Sequence, residues 1–193
     1  MAANESSNED LIQKVKDGDE PAFTMLMNRW HKRIYNYAYR YGSCRIFAQE
    51  VVQQTFIQVY QKIDQLDDLN RFIPWMYRIA SNNCHSERRS IKNRNALVSV
   101  AEEMPERPGA VTPANLYEKA ERRSVVRMVL QEIPAKQREV IILKEYEGLK
   151  FREIAEALGE SENTVKSRLY YGLDAMKKQI IQRKLKEEIY HGS

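Results

Sequence analysis

A chain of 193 residues that is 42% hydrophobic is long enough for one ordinary domain or two small ones with packed cores, and 31 basic against 27 acidic residues leave a formal charge of +4. That balance is compatible with nucleic acid without selecting it. Cys44 and Cys84 stand far apart with no regularly spaced histidines, which excludes a disulfide framework and a cysteine-built zinc site. An acidic N-terminal segment and the lack of a long apolar run argue against a secretory leader and a membrane span. The expectation is a cytoplasmic protein with no membrane insertion.

Apolar positions recur at helical spacing from Asn8 to Arg89, which predicts a helical domain over 8–89. Leu11, Ile12 and Val15 predict a short first helix stopped at Gly18. Asp19 is placed to cap a second helix with Pro21 in its first turn, and Phe23, Leu26, Met27, Trp30, Ile34 and Tyr41 form its buried stripe up to Gly42. A third helix buries Phe47, Val51, Val52, Thr55, Phe56, Val59, Tyr60 and Ile63, and turns Gln49, Glu50, Gln53, Gln54 and Gln58 the other way. That glutamine-rich face is unusual for plain solvated surface and suits docking. Asp64, Asp67 and Asp68 mark an acidic loop, after which Asn70 is placed to cap a fourth helix carrying Phe72, Trp75, Met76, Ile79 and Ala80 and ending in Arg88, Arg89, Lys92 and Arg94.

Periodicity fades over 90–115, where Pro105, Pro108, Gly109 and Pro113 predict a flexible interdomain linker. It resumes with Leu116, Ala120, Val126, Val129, Leu130 and Ile133, breaks at Pro134, and continues through Val140, Ile141 and Leu143 to Gly148, within a second helical domain over 116–182. The most specific local pattern spans Phe151–Met176. Ile154, Ala155 and Leu158 line one helix, Gly159 supplies the turn, Ser161 caps the next helix, and Val165, Leu169, Leu173 and Met176 line it. These spacings predict a helix-turn-helix, with an ordinary helical hairpin as the plain alternative. Thr164, Lys166, Ser167, Arg168, Tyr170 and Tyr171 then lie on or near the outer face, where they can reach phosphates and base edges. A charged tail over 183–193 reads either as a continuation of that helix or as unstructured.

In the fourth helix, Phe72, Trp75, Tyr77, Arg78, Asn82, Arg88 and Arg89 combine aromatic faces, an amide and cations, the mixture that single-stranded nucleic acid requires. Phe72, Trp75, Met76 and Ile79 read equally as core, while Tyr77 points off the stripe. The histidines are isolated, and no nucleophile, acid/base or metal-ligand motif is present; no catalysis, cofactor or metal is expected.

Both halves, in this order, resemble the extracytoplasmic-function sigma factors, built from sigma region 2 and sigma region 4. Ala48-Gln49-Glu50-Val51-Val52-Gln53-Gln54-Thr55-Phe56 resembles the segment that binds core RNA polymerase. Gln49, Glu50, Gln53, Gln54 and Phe56 would carry that role, although Gln49 and Gln54 stand where acids are usual. Phe72, Trp75, Tyr77, Arg78, Asn82, Arg88 and Arg89 would read the −10 element, Ser86 replacing a usual Asp. Ile133-Pro134, Arg138, Glu147-Gly148-Leu149, Glu153-Ile154-Ala155 and Thr164-Val165-Lys166-Ser167-Arg168-Leu169 resemble region 4, so that Thr164, Lys166, Ser167, Arg168, Tyr170 and Tyr171 would face the −35 element, Tyr171 standing where a basic residue is more usual. The resemblance implies an all-α, two-domain protein that is not an enzyme. Its implied partners are core RNA polymerase, promoter DNA and an anti-sigma factor, the last often anchored at the inner membrane face. The alternative is a helix-turn-helix activator with an N-terminal helical protein-interaction module.

Overall fold

The computed structural model describes residues 6–97 and 124–191, with side chains over 6–93 and 124–183. Helix α1 spans Asn8–Lys16, α2 Glu20–Gly42, α3 Arg45–Lys62 and α4 Phe72–Leu97; α5 covers 124–132, α6 Ala135–Ile141, α7 Phe151–Leu158 and α8 Glu162–His191. Among the described residues there is no strand.

The helix ends follow local chemistry. Ser7 and Asp10 form a reciprocal capping box on α1, and the Ala22 amide donates to Asp19 Oδ1 at 3.0 Å to start α2. Gly42 stays helical. The left-handed residue that ends α2 is Ser43, at φ 51°, while Gly42 is required for space, because a Cβ there would fall inside the Phe47 ring. At α4, the cap falls two residues earlier than expected: Asp68, not Asn70, accepts from the Asn70 amide at 3.0 Å and nucleates a short 3₁₀ turn, Leu69–Arg71, which feeds the helix. The first eight residues of the expected linker, 90–97, continue α4; the rest of it, together with Leu116 and Ala120, lies outside the described residues. The tail continues α8 as far as His191.

In the first domain, α2 packs against α1, α3 and α4, burying Leu11, Leu26, Trp30, Ile34, Val51, Val59, Phe72 and Met76. Tyr60, expected in that core, is 52% exposed and lies against Phe23 at 4.9 Å. The second domain gathers Val129, Leu130, Val140, Ile141, Leu143, Ile154 and Val165. Leu173, expected inside, is exposed; the inner position is taken by Gly172, which lets α8 approach Ile141 and Gln137 of α6. After α6 the helix widens into a π turn, Ile142–Tyr146, with the Glu147 amide donating to the Ile142 carbonyl at 3.1 Å. The two domains meet along α2 and α4 of the first and α6, the π turn and α7 of the second, and their cores form one continuous cluster.

Candidate functional site

Three surfaces carry the residues singled out above. On α3, Gln49, Gln53 and Gln54 are exposed and Glu50 is half-buried, with the Gln54 amide donating to Glu50 Oε1 at 3.0 Å. Phe56 is buried and shares a groove with Gln49 and Gln53, its ring parallel to His31 at 6.4 Å. It forms the floor of an open groove of about 470 Å³ between α2 and α3, walled by Phe23, Met27, Val52 and Tyr60. The groove thus joins the amides of Gln49, Gln53 and Gln61 to an apolar trough, a layout suited to a protein–protein contact, while Glu50 and Gln54 lie outside it.

Along α4 the residues split. Phe72 is buried with its edge on Trp30 at 5.9 Å, and its role there is core packing. Trp75 is half-buried beside Phe72, and Asn82, Arg88 and Arg89 are exposed. Arg88 and Arg89 line a second cleft with Tyr41, His85 and Lys92. Tyr77 does point off the stripe of its own domain, but into the other one: it is fully buried and donates to Glu147 Oε2 at 2.7 Å. Arg78 is exposed, yet its guanidinium donates to the Glu156 carbonyl of α7 at 2.5 Å.

The third surface is the start of α8. Gly159, at φ 65°, turns the chain out of α7, and Ser161 Oγ accepts from the Thr164 amide at 3.1 Å. Thr164 is half-buried, Lys166 lies over the Phe151 ring at 5.6 Å and Ser167 is exposed. Arg168 is held by Glu160 at 2.7 Å, and Tyr170 and Tyr171 stand out at 72% and 61% exposure with their rings edge-on. The arrangement is that of a helix-turn-helix with the outer face of its second helix largely exposed.

Between the domains lie carboxylates to which the sequence reading assigned no such role. Glu139 of α6, almost entirely buried, accepts from Tyr37 Oη at 2.8 Å and Ser81 Oγ at 2.6 Å through Oε1, and meets His85 Nε2 at 3.1 Å through Oε2. Burial opposes its charge, but the hydrogen bonds from His85, Ser81 and Tyr37 outweigh that, and its carboxyl is held below the usual range. The same contact raises the His85 imidazole, and burial raises the Tyr37 and Tyr77 hydroxyls. Glu147, besides Tyr77, has Arg33 at 3.5 Å and Arg40 at 3.7 Å. Glu156 of α7 pairs with Arg71 at 2.6 Å. The one available signal was Glu139 itself, a carboxylate adjoining the apolar run Val140–Leu143.

The profile of Sigma-70 region 2 matches residues 26–94, and that of Sigma-70 region 4 matches residues 123–176. Over 176 residues the chain is 32% identical to the ECF RNA polymerase sigma factor SigW of Bacillus subtilis, covering 88% of this chain and 94% of that one. Over 185 residues it is 28% identical to the ECF RNA polymerase sigma-E factor of Haemophilus influenzae, covering 92% and 97%. The fold is also that of the sigma factor RpoE from Bartonella quintana, solved in complex with the anti-sigma factor NepR, at a TM-score of 0.67 and 20% identity over 82% of this chain and 96% of that one. The class defined by these domains is the RNA polymerase sigma factor. Within it, the chain belongs to the ECF sigma factors, which sets aside the activator alternative. Among the described residues no helix is long and apolar enough to cross a membrane.

Proposed function

We propose that the chain acts as a promoter-specificity subunit, bringing core RNA polymerase to DNA through three contacts. The observation that carries this reading is the pairing in one chain of region 2 with a region 4 helix-turn-helix whose outer face is presented. The glutamine-rimmed groove on α3, with Phe56 as its floor, is the docking face for polymerase. Trp75, Arg78, Asn82, Arg88 and Arg89 engage the −10 element, with Phe72 supporting Trp75 from the core. Thr164, Lys166, Ser167, Arg168, Tyr170 and Tyr171 engage the −35 duplex. Stacking on an aromatic stabilises an extruded base by roughly 1–3 kcal/mol, comparable with the few kcal/mol that unstacking costs. Two modest DNA contacts joined in one chain act together because each raises the local concentration of the other. Phosphodiester chemistry is left to polymerase, and an anti-sigma factor, in the cytoplasm or anchored at the membrane, is the expected antagonist.

Run-off transcription with purified core polymerase on a promoter library tests the reading. Transcripts with discrete starts only when the protein is added support it; no transcripts and no co-purification with core polymerase would refute it.

A further inference from the structure

Specificity in a major groove is set by the donors, acceptors and apolar groups that a helix holds free to meet base edges. On α8 the arginines are not among them. Arg168 is turned back onto Glu160 at 2.7 Å, and Arg183, the one other arginine of the helix, pairs with Glu132. Thr164 is also committed, its hydroxyl meeting Ser161 Oγ at 2.8 Å within the cap. Lys166 is exposed, but its ammonium leans over the Phe151 ring at 5.6 Å, on the side of α7, the helix that crosses the DNA backbone in such a motif.

Asn163, Ser167, Tyr170 and Tyr171 remain on the outer face, all exposed. At about 100° per residue, positions 163, 167 and 170 fall within about 60° of one another, with 171 beside them. The two tyrosine rings stand edge-on at 5.9 Å, and large aromatic rings left in water mark surface that a complex covers. In the major groove, guanine is read by a free guanidinium or ammonium on O6 and N7, adenine by an amide on N6 and N7, and thymine by apolar contact with its C5-methyl group. The outer face holds the second and third of these means and lacks a free guanidinium for the first.

We infer that α8 reads A·T pairs. Asn163 takes an adenine edge in the first turn, and the Tyr170/Tyr171 pair packs on thymine methyl groups further along. Arg168, clamped by Glu160, and Lys166 serve the phosphates and choose no base. Asn163 and Tyr170 are about 10 Å apart along the helix axis, the rise of about three base pairs, so one short A·T run carries the readout. This rests on the assignment of α8 to the −35 duplex in the preceding section, and it fixes the base chemistry that the assignment leaves open.

The test uses the full chain with core polymerase. On a promoter recovered by run-off, each −35 thymine is replaced in turn by deoxyuracil, which removes the methyl group and nothing else. At one or two positions the transcript yield at subsaturating protein should fall about fourfold, the factor for withdrawing one carbon from apolar contact. Tyr170→Ala/Tyr171→Ala should erase that difference and Tyr170→Phe/Tyr171→Phe should keep it, since the rings alone meet the methyl. Asn163→Ala should relax the preference for one A·T pair by roughly tenfold. Should the double alanine variant fail to fold, Tyr171→Arg must move the preference at one position from an A·T to a G·C pair. Uracil templates as active as thymine templates throughout, a −35 element of G·C pairs, or uracil sensitivity that persists in the folded double alanine variant overturns the inference for a chain that supports run-off. A chain that starts no transcripts loses the −35 assignment and this reading with it.

Discussion

Tyr37→Phe isolates one bond of the domain contact. Its ring is fully buried, and its hydroxyl donates to Glu139 Oε1 at 2.8 Å while Ser81 and His85 keep hold of the same carboxylate. A hydrogen bond to a charged group contributes about 1.5–3 kcal/mol, and the aromatic packing survives the change, so the expected loss is about 2 kcal/mol. With a urea slope of about 2 kcal/mol/M, the midpoint should fall by about 1 M. In the background of Glu139→Ala the same substitution should cost far less, because the acceptor is gone and the two changes share one interaction. A midpoint that does not move would show that the hydroxyl contributes nothing, and equal losses in both backgrounds would show that it acts independently of Glu139; either result refutes this bond as a support of the contact.

Stability should depend on pH through the same cluster. The His85 value is raised above 6.5 by Glu139, so its contribution is complete below 6.5 and is lost as pH rises through the folded value. The Glu139 value is lowered below 4.5, so its contribution is present above 4.5 and is lost as pH falls through the folded value. Urea midpoints should therefore be highest between these limits, and His85→Gln should flatten the alkaline side. Gly42→Ala places a methyl in the Phe47 ring and should destabilise by about 1–3 kcal/mol, measured by thermal unfolding. Lys166→Ala should weaken −35 binding at all sequences and reduce the slope of log affinity against log salt by about 0.9, the signature of one lost phosphate contact. An unchanged slope would remove Lys166 from the DNA face.

The helical periodicity made most of each domain's interior legible, down to the Asp19 and Ser161 caps and the turn at Gly159. Tyr60 and Leu173 fitted the period and yet are exposed, because an apolar residue at a stripe's edge is buried only if a neighbouring helix covers it. The missing partner was invisible for another reason. Tyr37 continues the buried stripe of α2 and Tyr77 points off that of α4, but the carboxylates that receive their hydroxyls lie 102 and 70 residues further on. Spacing within one helix carries no record of a contact so distant. The outer face of α8 was legible because its geometry is set within two adjacent helices, while the contact of the second domain with α4 depends on the whole chain.

The π turn at Ile142–Tyr146 holds one residue more than a regular helical turn, and at about 100° per residue that single insertion sets the direction of the residue that caps it. Glu147 follows at once, and the extra residue aims its carboxylate at Tyr77, Arg33 and Arg40. A one-codon deletion within 142–146 would leave the composition and apolar pattern of both domains nearly unchanged while rotating Glu147 off its partners. Domain coupling in this chain is thus open to gain or loss by a single insertion or deletion, with no surface residue replaced.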